Sequence, residues 1–230
     1  MTHYDFTFHG AALTAFASGA LYWAAERLLV VSDLHLGKSA RMARRGGGLL
    51  PPYETRATLE RLDADLEASG ARRVICLGDS FDDLTAGTEL AESDRLWLTR
   101  MMAGRDWVWI EGNHDPGPGT LGGSHLAQLQ LGPLVFRHIT EAAARGEVSG
   151  HYHPKARLAG QSRPCFLLSD PARLILPAYG AYTGGLPCSA PELGGLMGPG
   201  ALAILTGRVV RAIPFSAAAQ TSPRSSSFSR

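Results

Sequence analysis

The chain has 230 residues, 45% of them hydrophobic, with a net charge of +1 and an isoelectric point near 7.8. That is enough apolar material for one substantial core, and it excludes fibrous and intrinsically disordered classes. No apolar run reaches the roughly 18 residues of a membrane span, and the near-neutral balance excludes a surface built throughout to hold nucleic acid, so polyanion binding must be local.

Met1 to Gly10 lacks the basic start and apolar middle of a secretory signal, so a cytoplasmic location is expected. Cys76, Cys165 and Cys188 are odd in number and form no C-x-x-C pair, which suggests neither a disulfide framework nor a thiolate metal site. Cys76, inside the apolar run Val74 to Leu77, reads as core packing.

In chain order, residues 4 to 31 read as four short strands: Tyr4 to Phe8, Ala12 to Phe16, Leu21 to Ala24 and Leu28 to Val31. Gly10, Gly19 and the Glu26-Arg27 pair separate them, so an antiparallel start is expected. The fourth strand runs into Ser32-Asp33-Leu34-His35, where Asp33 and His35 point the same way if the chain stays extended. The most basic window follows: Lys38, Arg41, Arg44 and Arg45. Three of these, Lys38, Arg41 and Arg45, share one face if the segment opens a helix. Such a run is either a solvated face or a local phosphate contact.

After a Gly/Pro loop, Leu59, Leu62 and Leu66 give helical spacing over Tyr53 to Ser69, with Gly70 as the stop. A strand to Leu77 ends at Gly78-Asp79. A second helix, Glu92 to Met102, leads to the apolar Trp107-Val108-Trp109-Ile110, where Trp107 and Trp109 read as core residues. The β-α-β repeat predicts a sheet whose loops gather at the strands' carboxyl ends. Further strands are expected at Gln128 to Leu131, Leu134 to Arg137, Glu147-Val148, Arg157-Leu158, Cys165 to Leu168, Arg173 to Leu176, Ala203 to Leu205 and Val209 to Ile213. Gly184 to Gly200 reads as a long surface loop. One domain is expected over residues 1–215, with residues 216–230 as a disordered tail.

The polar residues at the strand ends form an ordered series: Asp33-x-His35, Gly78-Asp79, Gly112-Asn113-His114-Asp115, His138, and Gly150-His151-Tyr152-His153. Five of the eight histidines belong to it. Carboxylate, amide and imidazole donors without thiolate suit Mn²⁺, Fe or Zn²⁺ better than Mg²⁺ or Ca²⁺, and a two-metal site is the economical reading. His114 and Asp115 are positioned to transfer or steer a proton.

Those motifs, in that order, resemble the calcineurin-like metallophosphoesterase superfamily. The resemblance implies Asp33, His35 and His153 on one metal, Asn113, His138 and His151 on a second, and Asp79 bridging them. It also implies an α/β fold, a four-layer α-β-β-α sandwich of two mixed β-sheets flanked by helices. Asp82 takes the place of an Asp that pairs, in wider superfamily members, with the histidine after the Asn; here it would orient His114, with Asp83 as substitute.

Longer phrases, Leu49 to Thr55, Gly78 to Phe81, Phe136 to Ile139, His153 to Arg157 and Leu176 to Leu186, are similar to the bacterial ligase-associated DNA damage response endonuclease branch. That branch implies Mn²⁺-dependent phosphodiesterase and DNA endonuclease activity in repair, in association with a DNA ligase, a helicase and a nuclease. The sequence departs from the branch in having Asp82-Asp83 where His-Asp is expected, which bears on local proton chemistry.

The hypothesis that follows is a hydroxide held between two metals attacking phosphorus in line, with His114 protonating or steadying the leaving oxygen. Lys38, Arg41, Arg44 and Arg45 would hold flanking phosphates. Two alternatives stand beside it: a phosphatase or small-molecule diesterase, because the metal motifs do not separate monoester from diester, and a non-catalytic metal-binding scaffold. Oligomeric state is not legible.

Overall fold

The computed structural model describes residues 2–39, 42, 53–82, 90–115, 121–158 and 160–219. Arg41, Arg44, Arg45, Asp83 and all of the expected tail beyond residue 219 lie outside these.

Two mixed sheets form the centre. The first contains β1 (His3–Phe8), β2 (Ala11–Phe16), β3 (Leu21–Trp23), β4 (Leu28–Val31), β5 (Arg73–Leu77), β6 (Asp106–Ile110) and β7 (Ser124–Leu126), neighbours in that order. Pairing is antiparallel from β1 to β4 and parallel from β4 to β7. The switch follows from the connections. Short turns join the first strands, whereas helices α1 (Glu54–Ser69) and α2 (Glu92–Met102) carry the chain back before β5 and β6.

The second sheet holds β8 (Gln128–Leu131), β9 (Leu134–Arg137), β10 (Glu147–Ser149), β12 (Gln161–Ser169), β13 (Arg173–Ile175), β14 (Leu202–Leu205) and β15 (Arg211–Pro214), with β11 (Lys155–Leu158) paired to β12 as a hairpin. Its middle is parallel, β9 with β10 and β10 with β13.

Strand alternation sorts the core into layers. Leu28 and Val30 of β4 join Ile75, Val108, Phe136, Phe166 and Ile204 between the sheets. Leu29 and Val31, pointing the other way, pack with Cys76, Trp107 and Trp109 under Leu59, Leu62 and Leu66 of α1. A third cluster backs the second sheet, where Cys165 and Ala203 meet the short helices α3 (Pro191–Gly194) and α4 (Phe215–Ala218). The layers therefore run helix, sheet, sheet, helix. Gly70 ends α1 in the left-handed conformation at φ 59°, its N–H on Leu66 O at 3.0 Å.

Two expectations need correction. Gly184 to Gly200 is not a bare surface loop, because it contains α3 and buries Cys188 and Leu193. The tail does not begin at 216: α4 covers Phe215–Ala218, and Ala218 is buried. Both segments are too short and too mixed in composition to show a helical period. Strand β7, three residues without alternation, went unread for the same reason. Cys165 and Cys188 bring their sulfurs to 3.8 Å as free thiols.

Candidate metal centre

Parallel strands end at one edge, and this fold brings two sets of such ends together. Beyond β4 lie Ser32 and Asp33, beyond β5 Gly78 and Asp79, and beyond β6 Gly112 and Asn113. The second sheet supplies His138 after β9 and His151 after β10. Backbone bonds lock the ends to each other: Asp33 N–H to Gly78 O at 3.2 Å, His35 N–H to Asp79 O at 2.9 Å, and Gly150 N–H to His138 O at 3.0 Å. His151 N–H, from the second sheet, donates to Asp33 Oδ2 at 3.0 Å.

Two donor groups result. Asp33, His35 and His153 form one, and Asp79, His138 and His151 the other, each with its ligand atoms within 4.8 Å of one another. In the first, His153 Nε2 and Asp33 Oδ1 lie 3.0 Å apart. Apart from each other, neither has a hydrogen-bond partner among the described residues, while Asp33 Oδ2 takes Ser32 Oγ–H and His151 N–H. In the second, His138 Nε2 sits 3.0 Å from Asn113 Oδ1, 3.2 Å from His151 Nδ1 and 3.4 Å from Asp79 Oδ2. The remaining ring nitrogen of His138, Nδ1, lies 2.8 Å from Leu77 O. A carbonyl only accepts, so Nδ1 carries a proton, and in the neutral ring Nε2 carries the lone pair, facing two oxygens and the His151 ring nitrogen. Such an array needs a cation, and spacings of 3.0–3.4 Å are the edges of a coordination shell with bonds of about 2.1 Å. The residues fit divalent ions.

Backbone conformation marks the same residues. Asp33, His35, Asp79, His151 and His153 all have positive φ, between 46° and 70°. Strain of this kind, of order 1–3 kcal/mol per residue, survives only where surrounding structure enforces it. The extended continuation expected after β4 is therefore corrected. Asp33 and His35 reach one cluster through left-handed turns, because their amides are tied to the Gly78-Asp79 loop. Glycines leave the space: a methyl group at Gly150 would overlap Ser32 Oγ and Asp33 Oδ2, and one at Gly112 would overlap Asp79 N.

The proton-steering residues divide. His114 is half-buried, with Nδ1 3.0 Å from the backbone oxygen of Asp82 and its own N–H 2.8 Å from Asp79 Oδ1. Its ring meets that of His35 edge-on at 5.3 Å. The carboxylate of Asp82, however, faces His35, Oδ1 lying 3.2 Å from Nδ1. The expectation that this side chain orients His114 is thus corrected: the backbone oxygen does so. Asp115 is engaged by the backbone. Its carboxylate accepts the N–H groups of Asp79, Ser80, Phe81 and Gly112 at 2.8–3.2 Å, clamping two ligand loops together. Of the basic window, Lys38 is described, its Nζ 3.5 Å from Tyr182 O. His125 stacks on Trp109, away from both clusters.

Charge follows the geometry. Burial would raise Asp33, but the hydrogen bond and charge of His153 hold its carboxyl below the usual range. Burial acts likewise on Asp79, which the hydrogen bond and charge of His138 pull down to about 2. His138 is raised: burial alone would lower it, and the Asp79 bond together with the charges of Asp33 and Asp79 outweighs that. His151 is lowered by burial and by His138. Burial and the Asp79 charge push Asp115 up to about 6, against the pull of its backbone donors. Metal must displace the proton that His138 holds, so affinity is lost as pH falls through the raised value. Isothermal titration with Mn²⁺ at pH 8 and pH 6 should show weaker binding at the lower pH, approaching about tenfold per unit for one competing proton. Equal affinity at both values would remove His138 from the ligands.

The sequence did not reveal the Ser32 hydroxyl, the Asp115 clamp or the Leu77 carbonyl. Only the glycines beside the ligands hinted at how closely the loops approach.

The family model for calcineurin-like phosphoesterases matches residues 26–180. Among solved structures, the chain is similar to the crystal structure of Pseudomonas putida nuclease MPE, with 29% identity and a TM-score of 0.72, covering 92% of this chain and 100% of that one. No curated protein sequence matches. Among the described residues, no helix is long and apolar enough to cross a membrane.

Proposed function

Because the chain belongs to the calcineurin-like phosphoesterase family, we propose that it is a dinuclear-metal phosphodiesterase that cleaves DNA, acting in DNA repair in the cytoplasm with Mn²⁺ as its metal. The carrying observation is the pair of all-nitrogen-and-oxygen donor clusters where the strand ends of the two sheets meet, with the non-ligand His114 against them. The nuclease whose structure it resembles supports a nucleic acid as substrate. A ligase, helicase and nuclease are proposed as associates of the same repair task.

Asp33, His35 and His153 would hold one ion and Asn113, His138 and His151 the other, with Asp79 between them. When bound, the two ions supply an acidified water and neutralisation of phosphoryl charge. The protein's own contribution is placement. Asp33 turns Oδ1 into the first cluster because Ser32 and His151 occupy Oδ2, and His138 turns Nε2 into the second because Leu77 O holds its Nδ1 proton. His114 would donate a proton to the leaving oxygen from Nε2, its Nδ1–H being anchored on Asp82 O. Beside the second cluster, a groove of about 440 Å³, lined by Asn113, Gln128, Arg137 and Ile139, has room for the groups flanking a phosphodiester.

The test compares Mn²⁺-dependent hydrolysis of bis-p-nitrophenyl phosphate, p-nitrophenyl phosphate and supercoiled plasmid. Diester cleavage with plasmid nicking supports the reading. Monoester cleavage with intact plasmid moves the chain to the phosphatases, and no turnover with both metals bound makes it a scaffold. His114→Ala should retain both metals and lose about 10²–10⁴-fold in turnover of substrates with poor leaving groups. Undiminished turnover of such substrates would remove His114 from proton transfer.

A further inference from the structure

The loop after β5 runs alongside the loop after β4. His35 N–H donates to Asp79 O at 2.9 Å, Leu36 N–H to Ser80 O at 3.0 Å and Asp82 N–H to Leu36 O at 3.1 Å, so the two loops are tied bond by bond. Leu36 and Phe81, both buried, pair as a parallel bridge between them. The main chain thereby holds Asp82 beside His35. Both side chains are out of water, Asp82 1% and His35 6% exposed. Oδ1 of Asp82 lies 3.2 Å from Nδ1 of His35, and apart from that oxygen Nδ1 has no polar partner among the described residues.

Asp82 belongs to neither donor group. It stands behind the ring of His35, in the place that Leu77 O takes behind His138. The two acceptors differ in charge. A carbonyl is neutral, whereas a carboxylate that accepts an imidazole N–H both fixes the tautomer and strengthens the opposite nitrogen as a metal donor. The endonuclease branch that the sequence resembles has His-Asp where this chain has Asp82-Asp83, and a neutral imidazole at position 82 would bring no such charge.

We infer that Asp82 is a positioning residue for the first metal: its carboxylate accepts Nδ1–H of His35 and so presents Nε2 of that ring to the ion. Its backbone oxygen lies 3.0 Å from Nδ1 of His114. One residue therefore sets the ring of a ligand and the ring of the proposed acid, by two different atoms. This rests on the dinuclear-metal reading and deepens it, by giving the first site a charged support that the His138 ring of the second site lacks.

Nitrogen NMR of the metal-free full chain, with isotope-labelled histidine, reads the tautomer, and His35→Ala identifies the signals of His35. The wild type should carry the proton on Nδ1. In Asp82→Ala the balance should shift toward Nε2–H, the form a free imidazole favours. Calorimetric titration with Mn²⁺ should show one of two ions weakened about 10–100-fold in Asp82→Ala and the other unchanged. Asp82→Asn, which keeps the shape and an acceptor oxygen but not the charge, should lose less, and it supplies a folded variant if the alanine protein is unstable. Neither substitution removes the backbone oxygen at His114, so the signals of His114 should stay in place; a general collapse of the loop would move them. In a His35→Ala background, adding Asp82→Ala should cost no further affinity, because a residue that acts through another has nothing left to act on. An unchanged His35 tautomer in Asp82→Ala, two ions bound as tightly as in the wild type, or a full further loss in the His35→Ala background would overturn the inference. The tautomer is read without metal or turnover, so it stands apart from the diester test that decides the parent reading.

Discussion

Asp79→Ala should abolish Mn²⁺-dependent diester hydrolysis, with a loss beyond the roughly 10–100-fold that follows from removing a mere supporting partner of a metal ligand. Asp79 is the carboxylate of the second cluster, and its Oδ2 lies 3.4 Å from His138 Nε2. Without it, the second ion would face only the neutral donors Asn113, His138 and His151, and His138 would lose the Asp79 bond and charge that raise it, keeping those of Leu77 O and Asp33. Oδ1 also receives His114 N–H at 2.8 Å, so the same substitution releases the neighbouring histidine. Metal content by mass spectrometry should fall to one ion or none. Asp79→Asn, which keeps the shape and removes the charge, should lose metal as well. Two tightly bound ions in either variant would show that Asp79 is no ligand.

Asp115→Ala is expected to have the largest effect on stability. The carboxylate serves four amide N–H groups, and each buried donor left without a partner costs about 1–3 kcal/mol, with water recovering part of that at this half-buried position. A loss of about 3 kcal/mol is expected, which for a chain of this length lowers the midpoint of thermal unfolding by roughly 10 °C. Asp115→Asn, with one acceptor oxygen remaining, should lose less. Metal binding should weaken in the alanine variant although no donor is removed, because the clamp holds Asp79 against Gly112. Thermal unfolding of the metal-free protein checks the first claim; a shift below about 2 °C would show that the clamp does not hold the loops.

Much of this site was legible in one dimension. Strands read from apolar runs end where the polar motifs begin, and helical spacing in Leu59, Leu62 and Leu66 implied a connection that returns the chain for a parallel strand. His138 was separable from His125 by its place in the ordered series, and the structure puts His138 in the second donor group. Trp107 and Trp109, read as core, are each 3% exposed. Residue type sets these properties locally: which atoms can hold a metal, which side chains must leave water, and where a repeating period stops.

What the sequence could not determine depends on partners distant in the chain. Whether Asp82 turns its carboxylate or its carbonyl toward His114 depends on where His35 lies, and that depends on the amide bond from His35 to Asp79 O. Asp115 looked like a proton carrier because a carboxylate beside a histidine commonly is one; four amides from two loops claim it first. Left-handed backbone at Asp33, His35, Asp79, His151 and His153 is only faintly signalled by residue type: Asp and His adopt it more often than other side chains, yet few Asp or His residues do, so contacts decide which ones. Composition and periodicity therefore determined the strands, the helices and the polar motifs at the strand ends, and the resemblance those motifs carry implied the layers and the donor set. The packing of two sheets face to face decided the register of the loops, the strain they carry and which atoms Asp33 and His138 turn to the clusters, because those are set by contacts across more than a hundred residues, such as His151 on Asp33.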